Sequence, residues 1–486
     1  MSPSTLTREA VVAGLVGLVG ADKVVTDPEE LRRSSVDRFR KYEDICGVWT
    51  QPPPAAVVMA TSTADVAAVL AFADAHGVNV VPRTGRSATE GGLETVVPDS
   101  VVLDGSGMKD VLSVDEVNMQ VTVQCGVGLQ ELDDLLRVRG WTTGHSPQSK
   151  PLAQLGGLVA TRSIGQLSTL YGGIEDMVVG LEVVFPDGTV SRIKNVPRRA
   201  AGPDIRHVVI GNEGALCFVT EVTVKIFPYR PENNRYLGWT LDSMAEGFAV
   251  LREVMAQGLR PSVARLYDGP DGAQHFSHFA EPLECTLVFV TEGHAAIADA
   301  TATAIADIVA ARGTCRPVDG AVIEAWFDRL NWGPEQVAAE RVEIAETKSI
   351  GFTTEVSAGW SAIHDIYVEA RFRILAEIEG IEMVGGHSSH SYVNGTNMYF
   401  VYYYNVGDCP PEEEITRFHT PINAIICEET LRFGGSIVHH HGVGKHRTAW
   451  IEDEHGSAWP MLARLKQAFD PNGIMNAGTI WPRPLG

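Results

Sequence analysis

Between residues 55 and 229 the chain alternates short β-rich runs with helical patterns, and this alternation constrains its fold more than any other feature. Residues 56–60 and 78–82 are apolar runs of strand length, and a helical pattern over residues 66–76 separates them. Residues 177–185 form another strand-like run that ends at a turn. The alternation predicts an α+β domain with many short strands.

The character of the sequence changes after residue 229. Helical patterns at residues 244–257 and 295–311 are longer than those before them, and the aromatic run at 398–405 predicts a strand because aromatic residues favour sheets. We therefore expect three parts: an N-terminal helix and first domain over residues 1–229, a cap or substrate domain of antiparallel sheet and helices over 230–430, and a C-terminal segment over 431–486.

Charge and cysteine usage exclude several classes of protein. The 486 residues carry a formal net charge of −22, which disfavours nucleic acid as a partner because no basic stripe can displace counterions from phosphates. The seven cysteines include no Cys-x-x-Cys pair, which is typical of reduced thiols in a cytoplasm. The apolar run at residues 11–20 is too short to span a bilayer. We predict a cytoplasmic protein without a membrane span.

Three loops of the first domain combine small residues with free backbone donors. Residues 82–92 follow a predicted strand and can cradle a diphosphate with their N–H groups. The other loops are residues 144–163 and residues 211–217. None is a Gly-x-Gly-x-x-Gly fingerprint or a Walker A loop. Each alone is equally typical of a structural glycine turn, so the signal is the presence of three in one domain.

Three adjacent histidines, at residues 439–441, lie between Gly434-Gly435 and a Gly-Val-Gly-Lys turn at 442–445. Histidine suits proton transfer because its ordinary pKa lies near neutrality, and flanking glycines let backbone approach a ligand closely. By composition alone, the tract also fits an exposed loop or a metal-binding run. The rest of the chain favours an active-site loop.

Taken in order, these motifs resemble the vanillyl-alcohol oxidase/p-cresol methylhydroxylase (PCMH-type) superfamily, and within it the alkylglycerone-phosphate synthase-like FAD-linked oxidases. The most specific pieces are His-His-His-Gly-Val-Gly-Lys at 439–445, Ile-Glu-Asp at 174–176 and Gly-x-Glu-Gly-x-Leu at 211–216. Residues 470–476 are similar to a closing motif of many FAD-linked oxidases. The resemblance implies an α+β fold: a PCMH-type FAD-binding domain of two α/β subdomains, an α+β cap, and a C-terminal segment that returns to the FAD site.

The resemblance implies FAD as the cofactor. The residues implied to hold it are Pro82, Arg83, Thr84, Gly85, Arg86, Ser87, Ala88, Thr89, Gln148, Ser149, Gln154, Gly157, Thr161, Arg162, Ser163, Glu213, Gly214 and Leu216. The first loop reads Thr-Gly-Arg-Ser-Ala where the family tends to Gly-Gly-Gly-Thr-Ser, and Arg86 either reaches the diphosphate or narrows the site. Because residues 82–92 contain no histidine, we expect the FAD to be bound non-covalently.

The resemblance also implies which groups act on the substrate. Tyr399 falls at the catalytic tyrosine, and His440 and His441 lie in the histidine loop, where either can serve as the base. His145 falls at a flavin-proximal histidine, and Arg341 falls near an arginine that binds the substrate's anionic group. The residue types leave a surface ion pair with neighbouring glutamates as an equal alternative for Arg341.

Alternation along the aromatic strand predicts two different faces. Tyr399, Val401, Tyr403 and Asn405 share one face, and Phe400, Tyr402 and Tyr404 share the other. We expect one face to line a pocket and the other to pack into the cap.

The main functional hypothesis is an FAD-dependent oxidase or dehydrogenase that oxidises a hydroxyl group of an alcohol, a phenolic alcohol or a 2-hydroxy acid. Its partners are a small-molecule substrate and O2 or another acceptor, and it is expected to form a homodimer. One alternative is a non-redox flavin enzyme of ether-lipid synthesis, similar to alkylglycerone-phosphate synthase. The others are a metal protein built on His387, His390 and residues 439–441, and a non-catalytic flavin-binding module. Tyr399 stands where a metal-binding histidine would be expected, so we predict no metal.

Overall fold

The computed structural model describes residues 6–482, and the predicted first and last parts therefore extend beyond it at residues 1–5 and 483–486. The first unit is a small sheet with helices around it. Its elements are α1 Arg8–Val19, β1 Val24–Val25, α2 Pro28–Arg33, α3 Lys41–Cys46, β2 Ala56–Met59, α4 Thr63–His76, β3 Val80–Arg83 and β4 Val101–Asp104. The strand order is β1-β2-β4-β3, with β2, β4 and β3 parallel and β1 antiparallel at the edge. Parallel strands of this kind are buried on both faces, which is why β2 and β4 are apolar almost throughout.

The second unit is an antiparallel five-stranded sheet. Its elements are β5 Val111–Asp115, β6 Gln120–Gln124, α5 Leu129–Arg137, β7 Trp141–Thr142, α6 Leu155–Ala160, α7 Ser168–Tyr171, α8 Ile174–Met177, β8 Val178–Val184, β9 Val190–Ile193, α9 Arg206–Val209, β10 Phe218–Lys225 and β11 Phe227–Pro228. The strand order is β5-β6-β10-β8-β9. All seven residues of β8 are buried, because helices and the C-terminal segment cover the sheet.

The third unit is a seven-stranded sheet with helices. Its elements are β12 Arg235–Leu241, α10 Met244–Ala256, β13 Val263–Tyr267, α11 Gly269–Phe276, β14 Cys285–Thr291, α12 Ala295–Ala310, β15 Arg316–Val318, α13 Gly320–Phe327, α14 Pro334–Thr347, β16 Ser349–Gly359, α15 Ile363–Glu377, β17 Ile381–Ser388, β18 Gly395–Asn405 and α16 Thr420–Arg432. The order β15-β12-β14-β13-β17-β18-β16 is antiparallel at every pair.

The register of this sheet places side chains from four strands in one row. On β18, Tyr399 lies opposite Glu355 of β16 on one side and opposite His387 of β17 on the other. On β13, Tyr267 lies opposite His387. Directly opposed residues of neighbouring strands point to the same face of a sheet, so the row Tyr267, His387, Tyr399 and Glu355 faces one way.

The C-terminal segment returns to the first unit. After α17 Ile451–His455 and α18 Trp459–Phe469, the chain reaches the small parallel sheet, where Asn476 N donates to Val80 O at 2.8 Å. The N-terminal segment crosses the predicted boundary in the other direction, because Tyr42 packs in the core of the third unit. No helix within residues 6–482 has the length and the apolar character that crossing a membrane requires.

Candidate active site

A cavity of about 730 Å3 lies where the first two units meet the face of the third sheet that carries the row. One side is formed by the loop after β3 together with α6 and the segment before β10. The other side is formed by β13, β16, β17 and β18 with the histidine loop. A cavity of this size between domains is typical of a site for a cofactor and a small molecule.

The loop after β3, the predicted phosphate cradle at residues 82–92, offers free backbone donors to the cavity. In the described part of the chain, the N–H groups of residues 85–89 donate to no protein acceptor. A Cβ added at Gly85 would lie 2.7 Å from Leu152 O, so only glycine fits there. Arg86 adopts a left-handed conformation, with φ 56°, which turns the loop around the cavity. The buried Thr84 Oγ1 and Gln154 Oε1 have no protein partner, which suits oxygen-rich and nitrogen-rich ligand groups.

Most residues implied to hold the cofactor line this cavity. They are Pro82, Arg83, Thr84, Gly85, Arg86, Ser87, Ala88, Thr89, Gln148, Ser149, Gln154, Gly157, Thr161, Ser163, Glu213 and Gly214. Two others do not line it. The side chain of Arg162 is half exposed and pairs with Glu175 at 3.3 Å, and Leu216 is buried in the core of the second unit.

Glu213 joins the cofactor side of the cavity to the histidine loop. Its carboxylate accepts hydrogen bonds from Val443 N and Gly444 N, both at 2.8 Å. Burial raises the pKa of Glu213 to about 7, although these two N–H groups oppose the change. A Cβ at Gly442 would lie 2.8 Å from the carboxyl carbon, which is why this turn requires glycine.

Glu355 and Arg447 anchor the backbone of the histidine loop at residues 439–441. Glu355 Oε1 accepts from the backbone N–H groups of His440 at 2.8 Å and His441 at 2.7 Å. The Arg447 guanidinium is fully buried and bonds Glu355 Oε2 at 2.9 Å and Glu90 Oε1 at 3.1 Å. Burial alone would raise the pKa of Glu355, but Arg447 and then His441 hold it well below its ordinary value. A charged anchor therefore fixes the loop.

The Tyr399 hydroxyl lies between the two histidines. It is 2.6 Å from His440 Nε2 and 3.3 Å from His441 Nε2. His440 Nδ1 lies 2.8 Å from His439 Nδ1, and His439 Nε2 lies 2.8 Å from the hydroxyl of Tyr392. These contacts form a continuous chain from the cavity wall to the half-buried Tyr392.

The two histidines differ in protonation: His440 is neutral and His441 is protonated. Burial, and then the charge of His441, holds the pKa of His440 well below its ordinary value, so His440 is neutral at pH 7. Burial also disfavours the charged form of His441, but Glu355 and Glu90, at 3.1 Å and 3.5 Å from its Nδ1, more than offset this and raise its pKa to about 9. Burial raises the pKa of Tyr399 well above its ordinary value, which keeps the hydroxyl protonated.

Two residues implied to act on the substrate lie outside the cavity lining. His145 is buried behind the wall, with Nε2 3.3 Å from Ser163 Oγ, and burial lowers its pKa to about 3. Arg341 is on α14 with its side chain part-exposed, and its guanidinium pairs with Asp44. Its neighbours Glu340 and Glu343 line the cavity instead, because they project from the other side of that helix.

The structure adds three charged residues that the sequence reasoning missed: Arg265, Glu355 and Arg447. Two of them were detectable as charges within strand-like runs, since Arg265 interrupts Val-Ala-Arg-Leu-Tyr and Glu355 interrupts Thr-Thr-Glu-Val. Arg447 lies in the polar stretch Lys-His-Arg-Thr and carries no such signal. A buried charge needs a partner, so such interruptions mark a polar network or a ligand site. The predicted faces of the aromatic strand are confirmed: Tyr399, Val401 and Tyr403 line the cavity, and the alternate residues are in the core.

Two groups of residues bring possible metal ligands together within the described chain: His390 with His439 and His440, and Glu90 with Glu355 and His441. In the second group the Arg447 guanidinium bonds both carboxylates, and thus already supplies a cation. In the first group every histidine contacts a hydroxyl group, namely Ser168, Tyr392 or Tyr399. The absence of a metal stays a prediction, which metal analysis of the dialysed protein would test.

Two family descriptions match this chain. "FAD binding domain" matches residues 54–194, and "FAD linked oxidases, C-terminal domain" matches residues 230–480. The first contains the phosphate cradle, and the second contains the aromatic strand and the histidine loop. Together they confirm the cofactor predicted from the loops, and the cavity offers residues that fit it.

Relatives along the whole chain agree with these matches. "Uncharacterized FAD-linked oxidoreductase YgcU" of Escherichia coli is 63% identical over 481 residues, covering 98% of this chain and 99% of its own. "Alkyldihydroxyacetonephosphate synthase" of Dictyostelium discoideum is 25% identical over 464 residues, covering 88% and 73%. The solved structure of a 4-ethylphenol oxidase from Gulosibacter chungangensis superposes with a TM-score of 0.78 at 18% identity, over 100% of this chain and 99% of that one. The solved structure of p-cresol methylhydroxylase superposes with a TM-score of 0.75 at 16% identity, over 99% of this chain and 98% of that one, which confirms the PCMH-type fold.

Proposed function

Because the chain belongs to the FAD-linked oxidases, we propose that it oxidises a hydroxyl group of a small molecule, an alcohol, a phenolic alcohol or a 2-hydroxy acid. The observation that carries the proposal is the Tyr399 hydroxyl, which lies in the cavity wall within reach of a neutral and a protonated histidine. The cofactor side of the same cavity is the phosphate cradle.

Oxidation of an alcohol needs a hydride acceptor and a base. FAD, when bound, supplies the hydride acceptor for the carbon that carries the hydroxyl group. The protein's own side chains supply the base. Tyr399 donates its proton to neutral His440 Nε2 at 2.6 Å, and its oxygen then accepts the proton of the substrate hydroxyl. His440, rather than His441, is therefore the proton acceptor that we propose.

The hydrogen-bond partners assign the tautomers of His440 and His439. When His440 Nε2 accepts from Tyr399, its Nδ1 carries the hydrogen and donates to His439 Nδ1. His439 Nε2 then donates to the hydroxyl of Tyr392. The proton acquired by His440 can thus move outward through His439, which restores a neutral His440 after each turnover.

His441 has a different role in this proposal. Its Nε2–H donates to the Tyr399 oxygen at 3.3 Å, and its positive charge stabilises negative charge that develops there as the proton leaves. Glu355 and Glu90 keep it protonated, and Arg447 holds the pKa of Glu355 well below its ordinary value.

Screening hydroxylated compounds under anaerobic conditions tests the function directly. A substrate should bleach the visible flavin bands without oxygen, and readmitted O2 or another acceptor should restore them. Alcohols, phenolic alcohols and 2-hydroxy acids are the classes to test. If none bleaches the flavin, while an acylated glycerone phosphate exchanges its acyl group for an alcohol, the non-redox alternative replaces the proposal.

Acid precipitation is expected to release all of the flavin, because the cradle at residues 82–92 has no histidine for covalent attachment. The visible spectrum of the supernatant and of the redissolved pellet measures this. Flavin colour retained in the pellet would contradict non-covalent binding. A sample spiked with free FAD controls for trapping in the precipitate.

Activity is expected to fall as the pH rises through about 9, because His441 loses its proton there. The sign follows from the raised pKa: the imidazolium is present below that pH and absent above it. The pH dependence of kcat/KM, with the best substrate found in the screen, measures the effect. Glu355→Gln removes one carboxylate and should move the alkaline limb toward neutral pH. Glu429→Gln, a buried carboxylate outside the cavity, should leave the limb in place. An alkaline limb that Glu355→Gln does not move would count against this role for His441.

A further inference from the structure

Arg265 is a buried cation in the cavity wall that lacks a carboxylate partner. Its side chain is on β13, the residue is 7% exposed, and it contributes to the cavity lining. No carboxylate among the described residues lies within 4.0 Å of its nitrogens, and its buried Nε has no hydrogen-bond partner. A buried guanidinium without a counter-ion is costly, unless a ligand supplies the missing charge.

The other arginine and lysine side chains of the cavity wall either pair with a carboxylate or are exposed to water. Arg38 and Lys41 pair with Glu340, and Arg83 pairs with Asp104. Arg86 pairs with Glu30 at 3.6 Å, and its side chain is part-exposed. Arg329 is exposed, so water solvates it. Asp271 is the acidic group of α11 that lines this part of the cavity, and its Oδ2 lies 2.6 Å from His387 Nδ1 instead.

We propose that Arg265 binds the carboxylate or phosphate group of the substrate, which is therefore a small hydroxylated anion. The inference rests on the proposed function in one respect, namely that a hydroxyl group of the bound anion is oxidised. A guanidinium offers two parallel N–H donors to a carboxylate or a phosphate, which a single ammonium group cannot do.

The surroundings of Arg265 hold the guanidinium in one orientation. One nitrogen donates to the Tyr267 hydroxyl. The guanidinium carbon lies 5.8 Å from the ring centre of Tyr267 and 5.6 Å from that of Trp326. Two aromatic rings and one hydroxyl restrict its rotation, so little side-chain entropy remains to be lost when an anion binds.

The row of side chains connects Arg265 to the proposed reacting hydroxyl. Arg265 is two residues before Tyr267 on β13, so both side chains face the same way. The ring centre of Tyr267 is 4.9 Å from that of His387, which is 4.5 Å from that of Tyr399. The anionic group and the oxidised carbon therefore occupy one compartment, which favours a compact hydroxy acid or hydroxy phosphate.

Equilibrium binding of unreactive anions tests the inference on the FAD-loaded protein. Oxalate and inorganic phosphate are titrated separately by calorimetry and by the perturbation of the flavin spectrum, and ethane-1,2-diol serves as the neutral probe. The variants are Arg265→Gln and Arg265→Lys. The matched control is Arg235→Gln, an arginine of β12 outside the cavity that pairs with Asp299 at 2.7 Å.

Oxalate or phosphate is expected to bind the wild type and Arg235→Gln equally, and to bind Arg265→Gln about 10- to 100-fold more weakly, since a charge-assisted bidentate contact is lost. Arg265→Lys should fall between, which shows that the effect is not a loss of folding. Preference for oxalate assigns a carboxylate, and preference for phosphate assigns a phosphate.

Two results would overturn the inference: neither anion binds the wild type at millimolar concentration, or Arg265→Gln binds them as tightly as the wild type. Its failure differs from failure of the proposed function. If neutral alcohols bleach the flavin and no anion binds, oxidation of hydroxyl groups stands and the anion site does not. If anions bind through Arg265 and no hydroxylated compound bleaches the flavin, the anion site stands and the oxidation does not.

Discussion

Tyr399→Phe is expected to slow substrate-dependent reduction of the flavin by about 10²- to 10⁴-fold, the range that a positioned proton-transfer group contributes. The phenyl ring keeps the stacking on His387, at 4.5 Å between ring centres, so the cavity wall retains its shape. Only the hydroxyl between the two histidines is removed. Stopped-flow measurement of anaerobic flavin bleaching, with saturating substrate, reports the rate directly.

Tyr402→Phe is the matched control for this variant. It makes the same chemical change three residues along β18, on the face that packs in the core, where the hydroxyl contacts Thr354 and Asn423 rather than the cavity. We expect reduction at the wild-type rate in Tyr402→Phe. A Tyr399→Phe rate within threefold of the wild type would remove Tyr399 from the proposed proton path.

Arg447→Met is expected to have the largest effect on stability, about 3–5 kcal/mol, because it removes the fully buried guanidinium that bonds the carboxylates of both Glu355 and Glu90. Arg447 is fully buried, and it also donates to the carbonyl groups of Glu355 at 3.0 Å and Ile437 at 2.9 Å. Methionine preserves much of the volume but none of these bonds. The midpoint of urea unfolding, followed by flavin release and by far-UV circular dichroism, measures the loss.

Arg432→Met is the control for Arg447→Met. Arg432 pairs with Glu429 at 2.9 Å, but its side chain is 62% exposed, and exposed ion pairs contribute about 0–1 kcal/mol. A shift of the urea midpoint in Arg447→Met no larger than that in Arg432→Met would show that water or rearrangement compensates the two carboxylates. Adding Glu355→Gln to Arg447→Met should recover part of the stability, since one of the unpaired charges is then absent.

Local patterns predicted the cofactor loops well. The helix over residues 66–76 and the strands on either side of it were readable because each depends on contacts between near neighbours in sequence. The loop that follows β3 could be singled out for the same reason, since its small residues are consecutive, and it lines the cavity. That it cradles a diphosphate stays a prediction.

The resemblance implied that Arg341 and His145 act on the substrate, but local sequence patterns could not predict that both lie outside the cavity lining. An arginine on a helix faces either the cavity or solvent according to the rotation of that helix, and α14 directs Arg341 toward Asp44. The rotation is set by the apolar residues that α14 buries, chiefly Ile344. Ile344 packs in the core of the third unit, so contacts with residues distant in sequence decide which neighbours of Arg341 face the cavity.

The sequence by itself determined an α+β fold with short strands and the two faces of the strand at Tyr399, because short-range periodicity carries that information. The FAD cofactor was implied by the resemblance of contiguous motifs to a known family. Only the tertiary structure decided the roles of the charged groups. Glu355, Arg447 and Arg265 come from separate parts of the chain, and strand register and loop packing bring them to the cavity. The protonation of His440 and His441 depends on burial and on carboxylates that are distant in sequence. Of two adjacent histidines, one is therefore neutral and the other is protonated, which no local pattern can specify.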